Sequence, residues 1–509
     1  MFVRKNRNRS GSISVQIISK KLGKYSVIET VGTSKNLDEI ERLILEAKNR
    51  INYPSDQLSL FSTLSETDQS IKNFLENLSN FQIRTIGPEL IFGTLFNRIG
   101  FNSIKDDLFR HIVIARLVYP SSKLKTADYL YRYKGIIVNV QTIYRFLDRL
   151  RNTYKEIIER IAYEYTKKTI KTVSIVFYDM TTLYFETEDE DDLRKIGFSK
   201  DGKFQNPQIM LGLLVGENGY PIGYDIFKGN TFEGHTLIPT LRNIQKKYSF
   251  KNPIIVADAA LLSKKNLENL IQEKYQFIIG ARIKNETDEI KEKIIKQAQG
   301  MKHGDNFSIN KSQDTRLIIT YSDNRKKKDV FNRERGVQKL LEQIKSGKLT
   351  KESINNRGYN KFLVLEGSIK IRINEDKIKE DTQWDGLKGY ITNTNLSPKE
   401  VVTNYAHLWQ IEKAFRISKT DLRIRPIYHY RQKRIEAHIS IVFVAYTIYK
   451  ELERLLDKYK VGFSPKRAAE LTHTMYELNY ILPHSNKKER TILKMDEEQK
   501  KLYDIILKK

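Results

Sequence analysis

Two aspartates are candidates for chemistry because each follows an apolar stretch that is typical of a buried strand. Val173, Ile175 and Phe177 alternate before Asp179, and the run IIVA directly precedes Asp258. A single carboxylate at a strand end can simply cap a sheet edge, but two on neighbouring strands are more informative. Ligands of open α/β sheets bind at the carboxyl ends of strands, where paired aspartates suit hard cations that prefer oxygen ligands. The pair therefore predicts a cation site.

A third acid, Glu412, is selected by its position on a predicted helix. Tyr405, Glu412 and Lys419 are spaced by seven residues, nearly two helical turns, so we expect their side chains on one line. A glutamate on a helix is usually only solvated, but several cations accompany this one. They are Arg416, Lys419, Arg423 and Arg425. Because such groups bind phosphates, the pattern favours a metal ligand flanked by phosphate-binding side chains.

The composition favours a polyanionic partner. Lys and Arg number 89 against 62 for Asp and Glu, which gives a formal net charge of +27. This surplus fits nucleic acid, an anionic membrane surface, an acidic protein or simply a soluble basic protein. The N-terminus leads into no apolar segment, and the apolar stretch 439–449 is too short to span a bilayer. We therefore expect a soluble, intracellular protein without a membrane partner.

The cysteine count limits the kinds of metal site that this chain can form. The chain contains no cysteine. Disulfides, thiolate nucleophiles and Cys-based zinc sites are therefore excluded, and any metal must be held by oxygen or imidazole ligands.

The first third of the chain predicts a small α+β region followed by helices. A hairpin around Gly23 and an amphipathic helix precede a Ser- and Pro-containing linker, and helical patterns follow up to about residue 168. The run 139–150 follows a turn at Gly135, as in a helix-turn-helix, although an ordinary helical bundle explains it equally well. The predicted ranges are 12–19 and 24–32 for the hairpin, 37–51 for the helix and 53–66 for the linker.

Near residue 172 the sequence pattern changes from helical to one typical of an α/β layer with a mixed sheet. Three strands come first, the second and third joined through Asn218-Gly219, a strong hairpin signal. Helices and strands then alternate up to residue 283, and residues 284–383 interrupt this order. A final strand and a long helix beginning at Ser397-Pro398 follow. The predicted strands are 172–185, 208–216, 220–229, 252–258, 276–283 and 384–394, and the predicted helices between them are 236–248 and 264–273.

The order strand-Asp, strand-Asp, helix-Glu resembles the RNase H-like core of DDE transposases encoded by bacterial insertion sequences. The last helix is similar to the subgroup marked by Tyr, two residues, Arg, three residues, Glu, six residues and Lys. Here Leu408 stands where the arginine is expected. Asp179 and Thr181 match the first motif of the family, whereas DAALLS, which starts at Asp258, lacks the basic residue and glycine that often follow the second aspartate. The resemblance covers roughly 172–450.

This resemblance implies an enzyme that cleaves and joins DNA. Asp179 would bridge two Mg²⁺ ions, with Mn²⁺ as a substitute, while Asp258 and Glu412 each complete one ion's ligand set. It implies contacts to double-stranded DNA, both the element ends and the target, and a homodimer when two ends are synapsed. The implied location is the bacterial cytoplasm, at the nucleoid. The expected DNA-binding residues are Tyr405, Arg416, Lys419, Arg423 and Arg425.

The predicted fold class is α/β, an RNase H-like mixed-sheet catalytic core with a β-rich insertion. A small α+β N-terminal region and a helical DNA-binding region precede the core. The alternative for 284–383 is an independent third domain. The predicted boundaries are 1–66 and 67–170 for the two preceding regions, 171–283 and 384–450 for the core, 284–383 for the insertion and 451–509 for a helical tail.

Two other functions remain open at this stage: an RNase H-like nuclease or resolvase without strand transfer, and a DNA-binding regulator derived from a transposase. The intact acids argue against the regulator. The acidic cluster 186–192 is interpreted as a solvated loop, and His407 and His438 as structural. The basic run Arg325–Lys328 is open between a solvated loop and a DNA contact.

Overall fold

A computed structural model describes residues 1–8, 10–21, 23–52, 66–171, 173–248, 253–350, 353–355, 357–366, 370–482, 485 and 487–507. The chain forms two compact units. One consists of residues 1–83 with 478–491, and the other of residues 84–477 with 492–509.

The smaller unit contains an antiparallel sheet in the order β1-β2-β3. The predicted hairpin is confirmed, with Gly23 in the turn at φ +79°, whereas β1 was not predicted. Val15 and Ile17 of the sheet pack against Ile40 and Ala47 of the first helix, which places its apolar stripe on the sheet. The predicted linker falls on residues 53–65, which lie outside the described residues. The elements are β1 (Phe2–Arg7), β2 (Ile13–Lys21), β3 (Lys24–Ser34), α1 (Leu37–Asn52) and α2 (Glu66–Glu76).

The larger unit begins with a group of helices. Gly135 ends one of them at φ +65°, and Asn139 caps the next through a hydrogen bond from Gln141 N to its side chain. The predicted pair of helices around this turn is thus present. The elements here are β4 (Ile83–Thr85), α3 (Thr94–Ile99), α4 (Asp107–Val118), α5 (Lys123–Lys134), α6 (Val140–Arg149) and α7 (Lys155–Ile170).

An eight-stranded mixed sheet follows, in the order β10-β11-β14-β9-β8-β5-β6-β7. Three antiparallel strands are extended by two parallel strands on the side of the first, which is the predicted RNase H-like order. Asn218 (φ 59°) and Gly219 (φ 75°) form the predicted turn. The strands are β5 (Ile175–Tyr184), β6 (Gln208–Val215), β7 (Pro221–Lys228), β8 (Ile254–Ala257), β9 (Gln276–Ala281), β10 (Asn306–Asn310), β11 (Arg316–Tyr321), β12 (Leu363–Glu366), β13 (Lys370–Ile373) and β14 (Leu387–Thr392).

Residues 284–383 contain both strands and helices. Strands β10 and β11 join the main sheet through β14, and β12 pairs with β13 in a separate hairpin. The run Arg325–Lys328 lies in the first turns of a helix, not in a loop. The helices that accompany the sheet are α8 (Leu237–Lys247), α9 (Lys264–Gln272), α10 (Asp288–Ala298), α11 (Asp323–Lys345) and α12 (Glu375–Thr382).

A long helix forms the centre of the larger unit. In α15 every residue from Ile435 to Ile448 is buried, and the hydroxyls of Tyr224 on β7 and Ser440 are hydrogen-bonded at 2.8 Å. Among the residues described, no helix is both long and apolar enough to cross a membrane. The remaining elements are α13 (Pro398–Ala406), α14 (Trp409–Thr420), α15 (Gln432–Lys458), α16 (Pro465–Thr472), β15 (Tyr476–Ile481), β16 (Lys488–Ile492) and α17 (Glu497–Leu507).

Gly280 of β9 lets a neighbouring tyrosine pack tightly against the sheet. A Cβ at Gly280 would lie 2.6 Å from the hydroxyl of Tyr405 and 3.2 Å from the backbone nitrogen of Ala259. We expect Gly280→Ala to lower the free energy of unfolding by about 1–3 kcal/mol in urea denaturation, because both neighbours must move. Gly223→Ala is the control, since its Cβ would meet only the flexible end of Ile244. Equal losses for the two variants would contradict this account.

Candidate active site

The pairing of β5 with β8 brings Asp179 and Asp258 to adjacent positions. The two strands are parallel, and their last paired residues are Tyr178 and Ala257. Asp179 and Asp258 each come one residue later. Asp179 ends the apolar stretch but not the strand, because β6 continues to pair with β5 as far as Tyr184, within the predicted range 172–185. The parallel pairing of β5 with β8 does end just before Asp179, so the two carboxylates lie at the end of β8.

Asp179 is in an environment that disfavours its charge. Burial raises the pKa of Asp179 to about 6, with smaller contributions in the same direction from Asp258 and Glu233. Lys200 and the N–H of Met180, which donates to Oδ1 at 2.7 Å, act in the opposite direction. The carboxylate is thus only partly compensated by its protein neighbours.

Lys200 is the cation nearest to this carboxylate. Its Nζ lies 3.9 Å from Asp179 Oδ1 and 2.8 Å from Glu233 Oε1. The same Nζ donates to the carbonyl of Met180 at 2.7 Å. One ammonium therefore connects Asp179 with a fourth acid, Glu233, that sequence reasoning missed.

Asp258 is held by a tyrosine and by its own turn. Its Oδ1 accepts from Ala259 N at 2.6 Å and from the hydroxyl of Tyr405 at 3.4 Å. Burial, followed by the negative charge of Asp258, raises the pKa of Tyr405. Tyr405 therefore remains a protonated hydrogen-bond donor to the aspartate.

Lys388 lies in the electric field of two of the acids. Its Nζ is 4.4 Å from the ring centroid of Tyr405. Burial lowers the pKa of Lys388, as does Arg325, while Asp258 and Glu412 act to raise it. Asp258 and Glu412 thus both act on the charge of this ammonium.

Glu412 lies on a helix that differs from the prediction. The single helix expected from residue 398 onwards is divided into α13 and α14 at His407 and Leu408. Successive hydrogen bonds there join residues three apart, such as Leu408 N to Tyr405 O at 3.0 Å, and so tighten the chain. The line of three side chains is therefore interrupted between Tyr405 and Glu412. Glu412 itself is exposed on the first turn of α14.

The predicted phosphate-binding cations fall into two groups. Lys419 Nζ lies 3.2 Å from Asp201 Oδ1, and Arg425 lies 2.7 Å from Oδ2 of the same aspartate. Burial lowers the pKa of Lys419, whereas Asp201 acts to raise it. Arg416 and Arg423 are instead exposed. The structure therefore brings Lys419 and Arg425 together on one acid that the sequence reasoning missed.

Four neighbours of the acids were not predicted: Lys200, Asp201, Glu233 and Lys388. Lys200 and Asp201 lie in a loop and Glu233 begins a short 3₁₀ helix; polar residues are ordinary in both, so no local pattern distinguishes them. Lys388 carried a usable signal, because it stands in the strand LKGYIT, whose other five residues are buried.

The donor chemistry of the acids fits a hard divalent cation. Asp179 and Asp258 supply oxygen ligands, and the raised pKa of Asp179 reflects a burial cost that a cation could offset. Within the described part of the chain, no three acid or histidine side chains stand close enough together to hold a metal ion. Among these residues Glu412 shares no ligand position with the aspartates, although its charge and that of Asp258 both act on Lys388 and Tyr405.

Comparison with known proteins identifies the class to which this fold and site belong. Residues 171–448 match the model of the family described as Transposase DDE domain, and the chain belongs to this family of transposases. A search of curated proteins found no match to this chain.

Two solved structures resemble the chain at low sequence identity. One is a piggyBac transposase synaptic complex with hairpin DNA, 11% identical with a TM-score of 0.39, covering 76% of each chain. The other is a Mos1 transposase paired-end complex with a left transposon end, 14% identical with a TM-score of 0.16, covering 31% of this chain and 53% of that one. The family assignment rests on the domain match alone.

Replacing Asp179 by asparagine is expected to stabilise the metal-free protein at neutral pH. Because the pKa of Asp179 rises from 3.8 to about 6 on folding, the folded chain binds this proton more tightly than the unfolded chain. Stability is therefore lost as the pH rises between these values. Asp179→Asn removes this cost, at most about 3 kcal/mol at neutral pH.

Thermal unfolding in EDTA, measured from about pH 4 to about pH 8, checks this expectation. The melting temperature of Asp179→Asn should exceed that of the wild type above pH 6 and approach it below pH 4. Asp189→Asn, at an exposed position, should follow the wild type throughout. A destabilised Asp179→Asn at neutral pH would refute the assignment of burial as the dominant cause.

Proposed function

We propose that this protein binds the terminal inverted repeats of an insertion sequence, cleaves DNA by metal-dependent phosphodiester hydrolysis and joins the freed 3′-OH ends to target DNA. The observation that carries the proposal is the adjacency of Asp179 and Asp258 at the end of the β5–β8 pairing, in a chain that belongs to the DDE transposases.

In this proposal Asp179, Asp258 and Glu412 hold two Mg²⁺ ions, for which Mn²⁺ substitutes. Bound divalent ions supply activation of the attacking water or 3′-OH and compensation for charge on the leaving oxygen. The residues of the chain orient the reactants. Tyr405 keeps Asp258 in place through its hydroxyl, and Lys200 would yield its place beside Asp179 to a bound cation.

The DNA backbone is bound by the cations around α14. Arg416 and Arg423 are exposed and available for phosphates, while Lys419 and Arg425 exchange Asp201 for phosphate oxygens. Guanidinium groups suit this exchange because they bind phosphate in a bidentate manner. Two copies of the chain act together in the bacterial cytoplasm when two element ends are synapsed.

Glu412→Gln tests the catalytic assignment. We expect this variant to bind duplex DNA with nearly unchanged affinity, because the side chain keeps its size, but to lose Mg²⁺-dependent nicking by at least about 100-fold. Supercoiled plasmid carrying the element ends is the substrate, and removal of Mg²⁺ by EDTA should abolish nicking by the wild type. Glu268→Gln, on an exposed position of α9, is the control and should retain activity.

The same assay separates the proposed reaction from the alternatives. Wild-type protein should yield products in which element ends are joined to target DNA. Nicking without joined products would indicate a nuclease, and DNA binding without nicking would indicate a regulator. Unchanged nicking by Glu412→Gln would reject the site assignment itself.

Asp201→Asn tests whether the carboxylate restrains the cations near the site. Removing its charge frees Lys419 and Arg425 for phosphate, so we expect DNA affinity to increase by roughly 2–5-fold at low salt, with a steeper dependence on salt. Asp189→Asn adds the same net charge at an exposed position of the same loop and should have less effect. Weaker binding by Asp201→Asn would mean that the aspartate positions the two cations for DNA.

A further inference from the structure

A cluster of basic side chains lies where α4, α5 and α15 meet the segment 428–431. We call it the basic pocket, and its members are Arg116, Lys123, His429, His438 and Arg434. Arg116, Lys123 and His438 are each only 5% exposed. So many buried basic groups are unusual, because burying a charge without a partner is unfavourable.

Ring and guanidinium contacts place His429, His438 and Arg434 close together, and the packing of α4 against α5, α6 and α15 brings Arg116 and Lys123 to the same region. The rings of His429 and His438 have centroids 5.7 Å apart, and His429 is 6.1 Å from the ring of Tyr144 on α6. The guanidinium of Arg434 lies over the same tyrosine at 4.8 Å. The pocket is therefore assembled from α4, α5, α6 and α15 and from the loop that follows α14.

The positive charge of the basic pocket is poorly balanced. Asp148 forms two hydrogen bonds with Arg434, both at 2.9 Å. Within the described residues, no ion pair involves Arg116 or Lys123, and Arg116 donates only to the carbonyl of Ser121 at 3.3 Å. The pocket thus holds two buried basic groups without an acidic partner among the described residues, and an anionic ligand would favour their charged forms.

The electrostatic consequences agree with this imbalance. Burial, followed by Arg116, holds the pKa of Lys123 well below its usual range. Burial lowers the pKa of His429 to about 3, with Lys123, Arg116 and Arg434 acting in the same direction and Asp148 opposing them. His438 donates from Nε2 to the carbonyl of Ile424 at 2.9 Å, and its Nδ1 has no hydrogen-bond partner in the part of the chain that the structure describes.

We propose that the basic pocket binds a backbone phosphate of duplex DNA. Lys123 is the first residue of α5, whose N-cap is Ser122, so the ligand would also meet the positive end of a helix dipole. Arg116 and Lys123 donate to the phosphate oxygens. The net charge of +27 favours a polyanion over an isolated anion. The inference rests on the proposed function insofar as it takes DNA as the partner.

The location of the pocket suggests how a phosphate contact there would act on DNA binding. Helices α5 and α6 form the pair around Gly135, and Gln141, Thr142 and Arg145 are exposed on α6. A phosphate held at the start of α5 would fix the position of this pair on the duplex, as backbone contacts do in helix-turn-helix proteins. The pocket is a positioning contact and takes no part in the cleavage chemistry.

The test compares Lys123→Met with Lys125→Met in the full-length protein. Methionine keeps an unbranched side chain and removes the charge, and Lys125 is an exposed residue of the same helix. Affinity for a fluorescent duplex is measured by anisotropy in EDTA over a series of salt concentrations. For Lys123→Met we expect roughly 5–10-fold weaker binding. The slope of log affinity against log salt concentration should decrease by the amount that corresponds to about one phosphate contact. Lys125→Met should change both by much less.

Folding is controlled by measuring the melting temperature of each variant. Removal of an unpaired buried charge should leave the melting temperature of Lys123→Met equal to or above that of the wild type. Should it fall instead, Arg116→Met provides a second test of the same pocket and is expected to give the same loss of affinity and of salt dependence.

Three outcomes overturn the proposal. The first is an unchanged affinity and salt dependence in a folded Lys123→Met or Arg116→Met. The second is a loss equal to that of Lys125→Met. The third combines two results: inorganic phosphate raises the melting temperature of the wild type but not that of Lys123→Met, and the two proteins bind DNA equally well. This would indicate a site for a free anion. Because all binding is measured in EDTA, a failure of metal-dependent cleavage leaves this result intact.

Discussion

The parallel pairing of β5 with β8 is the interaction on which the candidate site depends. The pairing ends at Tyr178 and Ala257, and the next residue of each strand is an aspartate. A backbone ladder, which is rigid and fully hydrogen-bonded, therefore sets the separation of the two carboxylates. Gly280 on the adjoining strand leaves room for Tyr405 to reach Asp258. The rest of the site is arranged around this pair.

Charge balance around the site is achieved by the chain itself. Lys200 lies beside Asp179 and Lys388 shares the field of Asp258 and Glu412. Conversely, the negative charge of Asp201 balances the positive charges of Lys419 and Arg425. Each of these groups thus has a protein partner of opposite charge. A ligand that carries the charge of that partner could take its place. In the basic pocket no described residue forms an ion pair with Arg116 or Lys123, which is why we propose an external anion there.

Much of the fold could be predicted because its signals are local. Alternation and apolar runs located β5 to β9, Asn218-Gly219 located the β6–β7 turn, and Ser397 with Glu400 forms the cap at the start of α13. The division between α13 and α14 was not predictable, because it replaces bonds between residues four apart by bonds between residues three apart at ordinary residues. The attachment of β10 and β11 to the main sheet likewise depends on pairing with β14, which is distant in the chain.

By itself, the sequence determined which residue types and which order of elements are available: two strand aspartates, a helical glutamate, the cations after it and a net charge of +27. Only the tertiary structure decided which neighbours these groups have. Lys200 lies between Asp179 and Glu233, Lys388 of β14 lies over the ring of Tyr405, and the basic pocket joins α4 and α5 to α15. Periodicity reports the face on which a side chain lies. Its charge partner, by contrast, is determined by contacts between segments that can be hundreds of residues apart.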